Sequence, residues 1–267
     1  MSAKQTIKHQ IAGFVCFGII ALWSGTALAE DHAAPLQHAK TDLSDEASLQ
    51  RGAATYMNYC LGCHSLQYAR YKSTAAGIGI HNDKGEVYES LVQTHLNLVS
   101  DRVNDPIRSA LQAKDGEKFF GVAPPDLTLV ARVRGNDWLY SYLKGFYLDS
   151  KRPLGVNNIV FPDVGMPNVL VELQGEQKPV MRTVHIKLSD GTIESKEVVD
   201  HLELAKPGSL SPEAFDRVVL DLVNFLDYMG EPIKLERQRM GVWILLFLVV
   251  FLLFAWLLKR EYWKDVH

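Results

Sequence analysis

Two cysteines separated by two residues, followed at once by a histidine, form the segment Cys60-Leu61-Gly62-Cys63-His64. This is the C-x-x-C-H arrangement for covalent attachment of a c-type haem. The two thiols can add across the two porphyrin vinyl groups, and the two-residue spacer sets the sulfurs at the separation of those vinyls. His64 comes directly after, so its imidazole turns onto the haem face as the proximal iron ligand. Gly62 removes bulk where the backbone would lie against the macrocycle. A thioredoxin-like site would need the pair to open a helix after a strand, whereas here the pair closes one. A zinc site would need further cysteines or paired histidines. The third cysteine, Cys16, falls in a segment with the character of a signal peptide, which leaves Cys60 and Cys63 as the thiols of the mature chain.

An electron-transfer haem closes its second face with methionine or histidine, and a thioether favours ferrous iron. Met57 lies too near the proximal helix to cross the ring, Met229 ends a helix, and Met240 belongs to a C-terminal apolar run. Met181 leads into an alternating strand pattern. Met166 sits in Phe161-Pro162-Asp163-Val164-Gly165-Met166-Pro167-Asn168, where glycine and proline flank it and limit its freedom. It is the expected distal ligand, with Met181 the runner-up and His81, His95, His185 and His201 as further options. A peroxidase would need an open distal position with an acid–base group in reach, and a haem sensor is a further alternative. A sulfur closing that position argues for an electron carrier.

Three more residues are candidates for contact with the cofactor. Pro125 lies in Ala123-Pro124-Pro125-Asp126-Leu127, a stiff turn able to wall one haem edge. Arg132 and Arg134 follow, then Trp138 and Tyr142; buried propionates need cationic or hydrogen-bonding partners, for which Arg134 and Trp138 are the candidates.

The elements that must position these groups are mainly helical. Ser44 is expected to cap a helix with Asp45 and Glu46 in its first turn, and Leu49, Gly52, Ala53, Tyr56 and Tyr59 recur at helical spacing up to the haem motif. Gly77 to Glu89 is read as loop and Arg134 to Phe146 as helix. Residues 184–188 and 193–198 alternate around Ser189-Asp190-Gly191, which predicts a β-hairpin. Ser211-Pro212-Glu213 opens a helix through Tyr228 whose apolar face holds Phe215, Val218, Val219, Leu222, Phe225 and Leu226. The first and last helices of the body are expected to pack together.

Both ends carry targeting signals. Lys4 and Lys8, an apolar run from Ile11 to Trp23, and Ala27-Leu28-Ala29 read as a cleaved signal peptide over 1–29. Met240 to Leu258 is nineteen residues without a charge. At about 1.5 Å per residue that is roughly 28 Å, close to bilayer thickness. Lys259, Arg260 and Lys264 follow it, so the positive-inside rule predicts a cytoplasmic tail and an exported body. The expected organisation is signal peptide 1–29, periplasmic haem domain 30–236, transmembrane anchor 237–258 and cytoplasmic tail 259–267, in a bacterial inner membrane. Residues 30–240 hold 23 basic and 29 acidic side chains, a net of −6. That acidic balance argues against nucleic-acid binding and suits a basic protein partner.

Taken in order, several segments resemble the cytochrome c1 family, the haem subunits of cytochrome bc1 complexes, in its bacterial form. They are Cys60-Leu61-Gly62-Cys63-His64-Ser65-Leu66 with Arg70-Tyr71, Ala123-Pro124-Pro125-Asp126-Leu127-Thr128, Gly165-Met166-Pro167, Met229-Gly230-Glu231-Pro232, and the tail Lys259-Arg260-Glu261-Tyr262-Trp263-Lys264. The resemblance implies a mainly α, cytochrome c-like haem domain with long loop insertions, a small β-hairpin and one C-terminal transmembrane helix. It implies one covalent haem c, Met166 as distal ligand and Arg134 as a propionate partner. It also implies a redox subunit without a turnover site of its own, with cytochrome b and a Rieske iron–sulfur protein as neighbours and a cytochrome c as electron acceptor. The stretch from Gly135 to Trp138 departs from mitochondrial members, and a disulfide pair found in some relatives is absent here. An alternative home is another respiratory complex, such as a haem–copper oxidase.

Overall fold

The computed structural model describes residues 35–97, 99, 100, 102–187 and 192–265. The predicted signal peptide and the tip of the predicted hairpin lie outside these residues. In chain order the helices are α1 (Glu46–Tyr59), α2 (Tyr71–Gly77), α3 (Glu89–Leu91, continued by a π-turn), α4 (Ala113–Phe120), α5 (Val130–Arg134), α6 (Asn136–Lys144), α7 (Val171–Gln174), α8 (Pro212–Gly230) and α9 (Lys234–Tyr262). Three two-stranded antiparallel sheets accompany them: β1 (Leu66–Arg70) with β2 (Pro106–Ile107), β3 (Phe146–Leu148) with β4 (Val156–Asn158), and β5 (Gly175–Lys187) with β6 (Ile193–Pro207). The expected class, mainly helical with small sheets and one apolar C-terminal helix, is the fold observed.

The core is the crossing of α1 and α8. Gly52 lets the two backbones meet: a Cβ at that position would lie 2.0 Å from the Asp221 carbonyl oxygen and 2.7 Å from Phe225 Cβ. Around this contact Leu49, Ala53 and Tyr56 are buried against Val219, Leu222 and Phe225. The buried acids of α8 are all partnered, as burial demands. Asp221 accepts from the Ser48 hydroxyl at 2.6 Å and from the Arg51 guanidinium at 2.7 and 3.0 Å. Asp227 accepts from Thr41, Asn136 and Lys234. These bonds bring the extended segment before α1, the start of α6 and the start of α9 onto one helix.

Three local expectations are corrected. The cap of α1 is Asp45, whose carboxylate accepts from the Ser48 amide at 2.9 Å. Ser44 turns away and gives both its amide and its hydroxyl to Asp42. The helix expected over Arg134 to Phe146 is shorter, Asn136–Lys144, because Gly135 takes φ +88°, a conformation outside the helical region, and separates it from α5, which ends at Arg134. The hairpin is much longer than its alternating stretch. Its strands pair from Gly175↔Pro207 to Lys187↔Ile193, with register shifts at Glu176/Gln177 and Val180/Met181. Each shift reverses which face a side chain occupies, so the period-two signal is lost outside 184–198.

At the other end, α9 starts before its apolar run, and among the described residues none of its membrane-length window is buried. Trp243, Phe247 and Leu252 are more than three-fifths exposed, apolar surface that water would not tolerate in such a run and that lipid would.

Candidate functional site

The C-terminus of α1 delivers the haem motif as a hydrogen-bonded turn. The Cys60 amide donates to Tyr56 O, and the amides of Cys63 and His64 both donate to Cys60 O at 3.0 and 2.8 Å. Beneath the turn the buried Tyr56 hydroxyl donates to His64 O at 2.6 Å, and the Tyr56 ring meets Phe225 of α8 at 5.8 Å. Burial raises the Cys60 thiol to about 12 and pushes the Tyr56 phenol higher still. A Cβ at Gly62 would meet no atom within 4 Å, so no neighbour within the chain requires glycine there.

His64 is fixed by the proline turn. Its Nδ1 lies 2.7 Å from Pro125 O, which can only accept, so the proton sits on Nδ1 and Nε2 keeps its lone pair. Burial lowers the His64 pKa, and the bond to Pro125 offsets part of that effect, which leaves a neutral imidazole near pH 7. The turn itself is sewn to the residues after His64. Asp126 accepts from the Gln67 amide at 2.8 Å and from Thr128 N at 2.9 Å, and Leu127 N donates to Ser65 O.

The Met166 loop is held by residues that sequence reasoning did not single out. Asn158, fully buried at the end of β4, donates from Nδ2 to Tyr142 O at 2.8 Å and accepts from the amides of Val160 and Phe161. Asn157 Oδ1 accepts from Asn158 N and Asp163 N. Asp163 has φ 62°, a left-handed conformation that aspartate tolerates better than most side chains. Arg152 clamps it through Asp163 Oδ1 at 2.7 Å and Asp163 O at 3.0 Å. The loop then turns Met166 inward, where the Tyr142 hydroxyl donates to its Sδ at 3.3 Å. Trp138 stacks on Tyr142 at 4.9 Å with 8° between the rings, and the Arg134 guanidinium lies 5.0 Å from the Trp138 centroid and 5.8 Å from that of Phe161.

These parts enclose a predominantly apolar cavity of about 320 Å³. All seven residues expected from sequence line it: Cys60, Cys63, His64, Pro125, Arg134, Trp138 and Met166. Of the described methionines, Met166 is the one on this wall; Met57 and Met229 are buried in the α1–α8 core and Met181 lies exposed on the ribbon. His81, His95, His185 and His201 do not reach the wall. Among the described residues no cluster of three His, Cys, Asp or Glu side chains exists that would hold a bare metal ion. Apolar walls, two free thiols, an imidazole with an available nitrogen and a thioether fit a covalently attached haem. Arg134, whose guanidinium rests on the Trp138 and Phe161 rings, puts a cation in the lining that suits its carboxylates. It also lines a second, more open recess of about 730 Å³ beside His38, Asp137 and Asp227. The hidden contributors, Tyr142 and the Asn157–Asn158 pair, have only a weak sequence signal: two adjacent amides before a proline-containing loop.

Comparison with known proteins gives a consistent result. Residues 37–266 match the model of the Cytochrome C1 family. The chain is 50% identical over 232 residues to "Cytochrome c1" of Allochromatium vinosum, covering 87% of this chain and 90% of the relative. It is 40% identical over 232 residues to a protein of Nitrosomonas europaea named "Ammonia monooxygenase gamma subunit", covering 87% and 89%. It is 26% identical over 253 residues to "Cytochrome b/c1" of Bradyrhizobium diazoefficiens, covering 84% of this chain and 34% of that longer protein.

Proposed function

The chain belongs to the cytochrome c1 family, and from that premise we propose an electron path, a ligand set and a membrane topology for it. It is the haem-bearing electron-transfer subunit of a cytochrome bc1 complex and carries a C-terminal transmembrane helix. A covalent haem c supplies a one-electron couple in the cavity. Cys60 and Cys63 hold it through thioether bonds. His64 offers Nε2 to the iron, and the bond from Nδ1 to Pro125 O sets the orientation and basicity of that ring. Met166 would offer its sulfur as the second ligand from the lining of the same cavity. Arg134 and Trp138 receive the propionates. The observation that carries this reading is the convergence of both thiols, the imidazole and one thioether on a single apolar cavity.

Electrons from quinol oxidation enter from a Rieske iron–sulfur protein and leave to a cytochrome c, with cytochrome b as the membrane neighbour. Residues 1–29 are removed on export, 30–236 form the periplasmic domain, 237–258 cross the inner membrane and 259–267 stay in the cytoplasm. The basic cluster Lys259, Arg260 and Lys264 supports that orientation. Purification of the assembled complex through a tag on the C-terminal tail tests the assignment. Recovery with a di-haem cytochrome b and a Rieske protein is expected. Recovery instead with a haem–copper oxidase core, or with a monooxygenase of the kind named for the Nitrosomonas relative, would overturn it.

A further inference from the structure

Tyr142 belongs to none of the residues that attach or ligate in the reading above, yet it makes the one polar contact to the Met166 sulfur among the described residues. Its ring has little freedom. Trp138 covers one face at 4.9 Å, Phe146 meets it edge-on at 5.3 Å, and Asn158 Nδ2 holds its backbone carbonyl at 2.8 Å. The same Asn158 amide accepts from the backbone of Val160 and Phe161, so one buried side chain fixes both the donor and the start of the loop that carries the acceptor. A ring so confined aims its hydroxyl at a sulfur 3.3 Å away. A thioether sulfur has two lone pairs. If one is taken by the hydroxyl proton, the other is left in a defined direction toward the cavity.

We propose that Tyr142 is a positioning residue for the redox couple: its hydroxyl orients the Met166 lone pair and draws electron density from the sulfur. This rests on Met166 being the distal ligand. A sulfur that donates less to iron stabilises the ferric state less, so the hydroxyl holds the potential up. Removing it moves the ferric/ferrous equilibrium toward ferric.

The test uses the purified complex. In Tyr142→Phe the ring stack is kept and only the hydroxyl is lost. The equilibrium is expected to move toward ferric by up to about tenfold, equivalent to ~59 mV for one electron. The weak red absorption band of thioether-bound ferric haem is expected to persist, shifted or weakened. A potential and a band both identical to the parent's would overturn the proposal. 3-Fluorotyrosine placed at position 142 makes the hydroxyl a stronger donor, so the potential is expected to move the opposite way; movement in the same direction as Tyr142→Phe would also overturn it. This second variant keeps the hydroxyl and the test even if Tyr142→Phe does not assemble. Met166→Ala separates the two readings. Retention of the red band there sinks the ligand assignment, whereas its loss beside an unmoved Tyr142→Phe sinks only the role of Tyr142.

Discussion

The two walls of the haem cavity are built by different rules. On the proximal wall, Cys60, Cys63 and His64 are successive residues of one turn, and the bonds that shape that turn come from Tyr56 and Cys60, a few residues upstream. Two distant contacts, His64 Nδ1 to Pro125 O and Ser109 Oγ to Gly62 O, complete it. On the distal wall Met166 has no such local frame. Its position depends on Asn157 and Asn158 at a strand end, on Arg152 clamping Asp163, and on Tyr142 from a separate helix. The Cys60–His64 turn is thus closed largely by bonds within itself, whereas the Met166 loop is held by side chains from a preceding turn, a strand end and a separate helix.

This contrast can be broken at its strongest point first. Replacing both Cys60 and Cys63 by serine is expected to abolish covalent attachment entirely, seen as loss of haem stain on a denaturing gel. Met166→Ala is expected to leave attachment intact while removing the red thioether band and opening the iron to added imidazole. A variant that lost covalent haem as well would show that the walls are not independent. Asn158→Ala deletes three hydrogen bonds of a fully buried amide and is expected to destabilise the haem domain by about 3 kcal/mol, read from the denaturant midpoint. Its red band should disappear at lower denaturant than the unfolding of α1 and α8; simultaneous loss would argue against a separate distal frame. The smallest effect is expected from Arg134→Gln. The guanidinium is exposed over two rings, so stability should fall by about 1 kcal/mol or less, while the haem potential moves if the residue faces a propionate.

The same contrast explains what could be read in advance. The proximal motif, the α1 and α8 helices and the apolar span all announce themselves by spacing alone. Met166 could be chosen because glycine and proline flank it, but Tyr142 and Asn158 could not, since one looks like an ordinary helix aromatic and the other like a turn residue. Gly135 was hidden inside a helical pattern that its positive φ interrupts. The ribbon was under-read because two register shifts erase its alternation. Ser44 and Asp45 are both good caps by type, and only the competing bonds from Ser44 to Asp42 decide between them.

The junction between α8 and α9 has a mechanical consequence. Only Glu231, Pro232 and Ile233 separate the two helices, and even fully extended they span at most about 11 Å. Lys234 is tied back to Asp227 at 2.9 Å, and Arg237 to Glu231. The connector is therefore a stiff stalk with no slack to pay out. Such a connector limits how far the haem domain can move relative to the apolar helix that follows it.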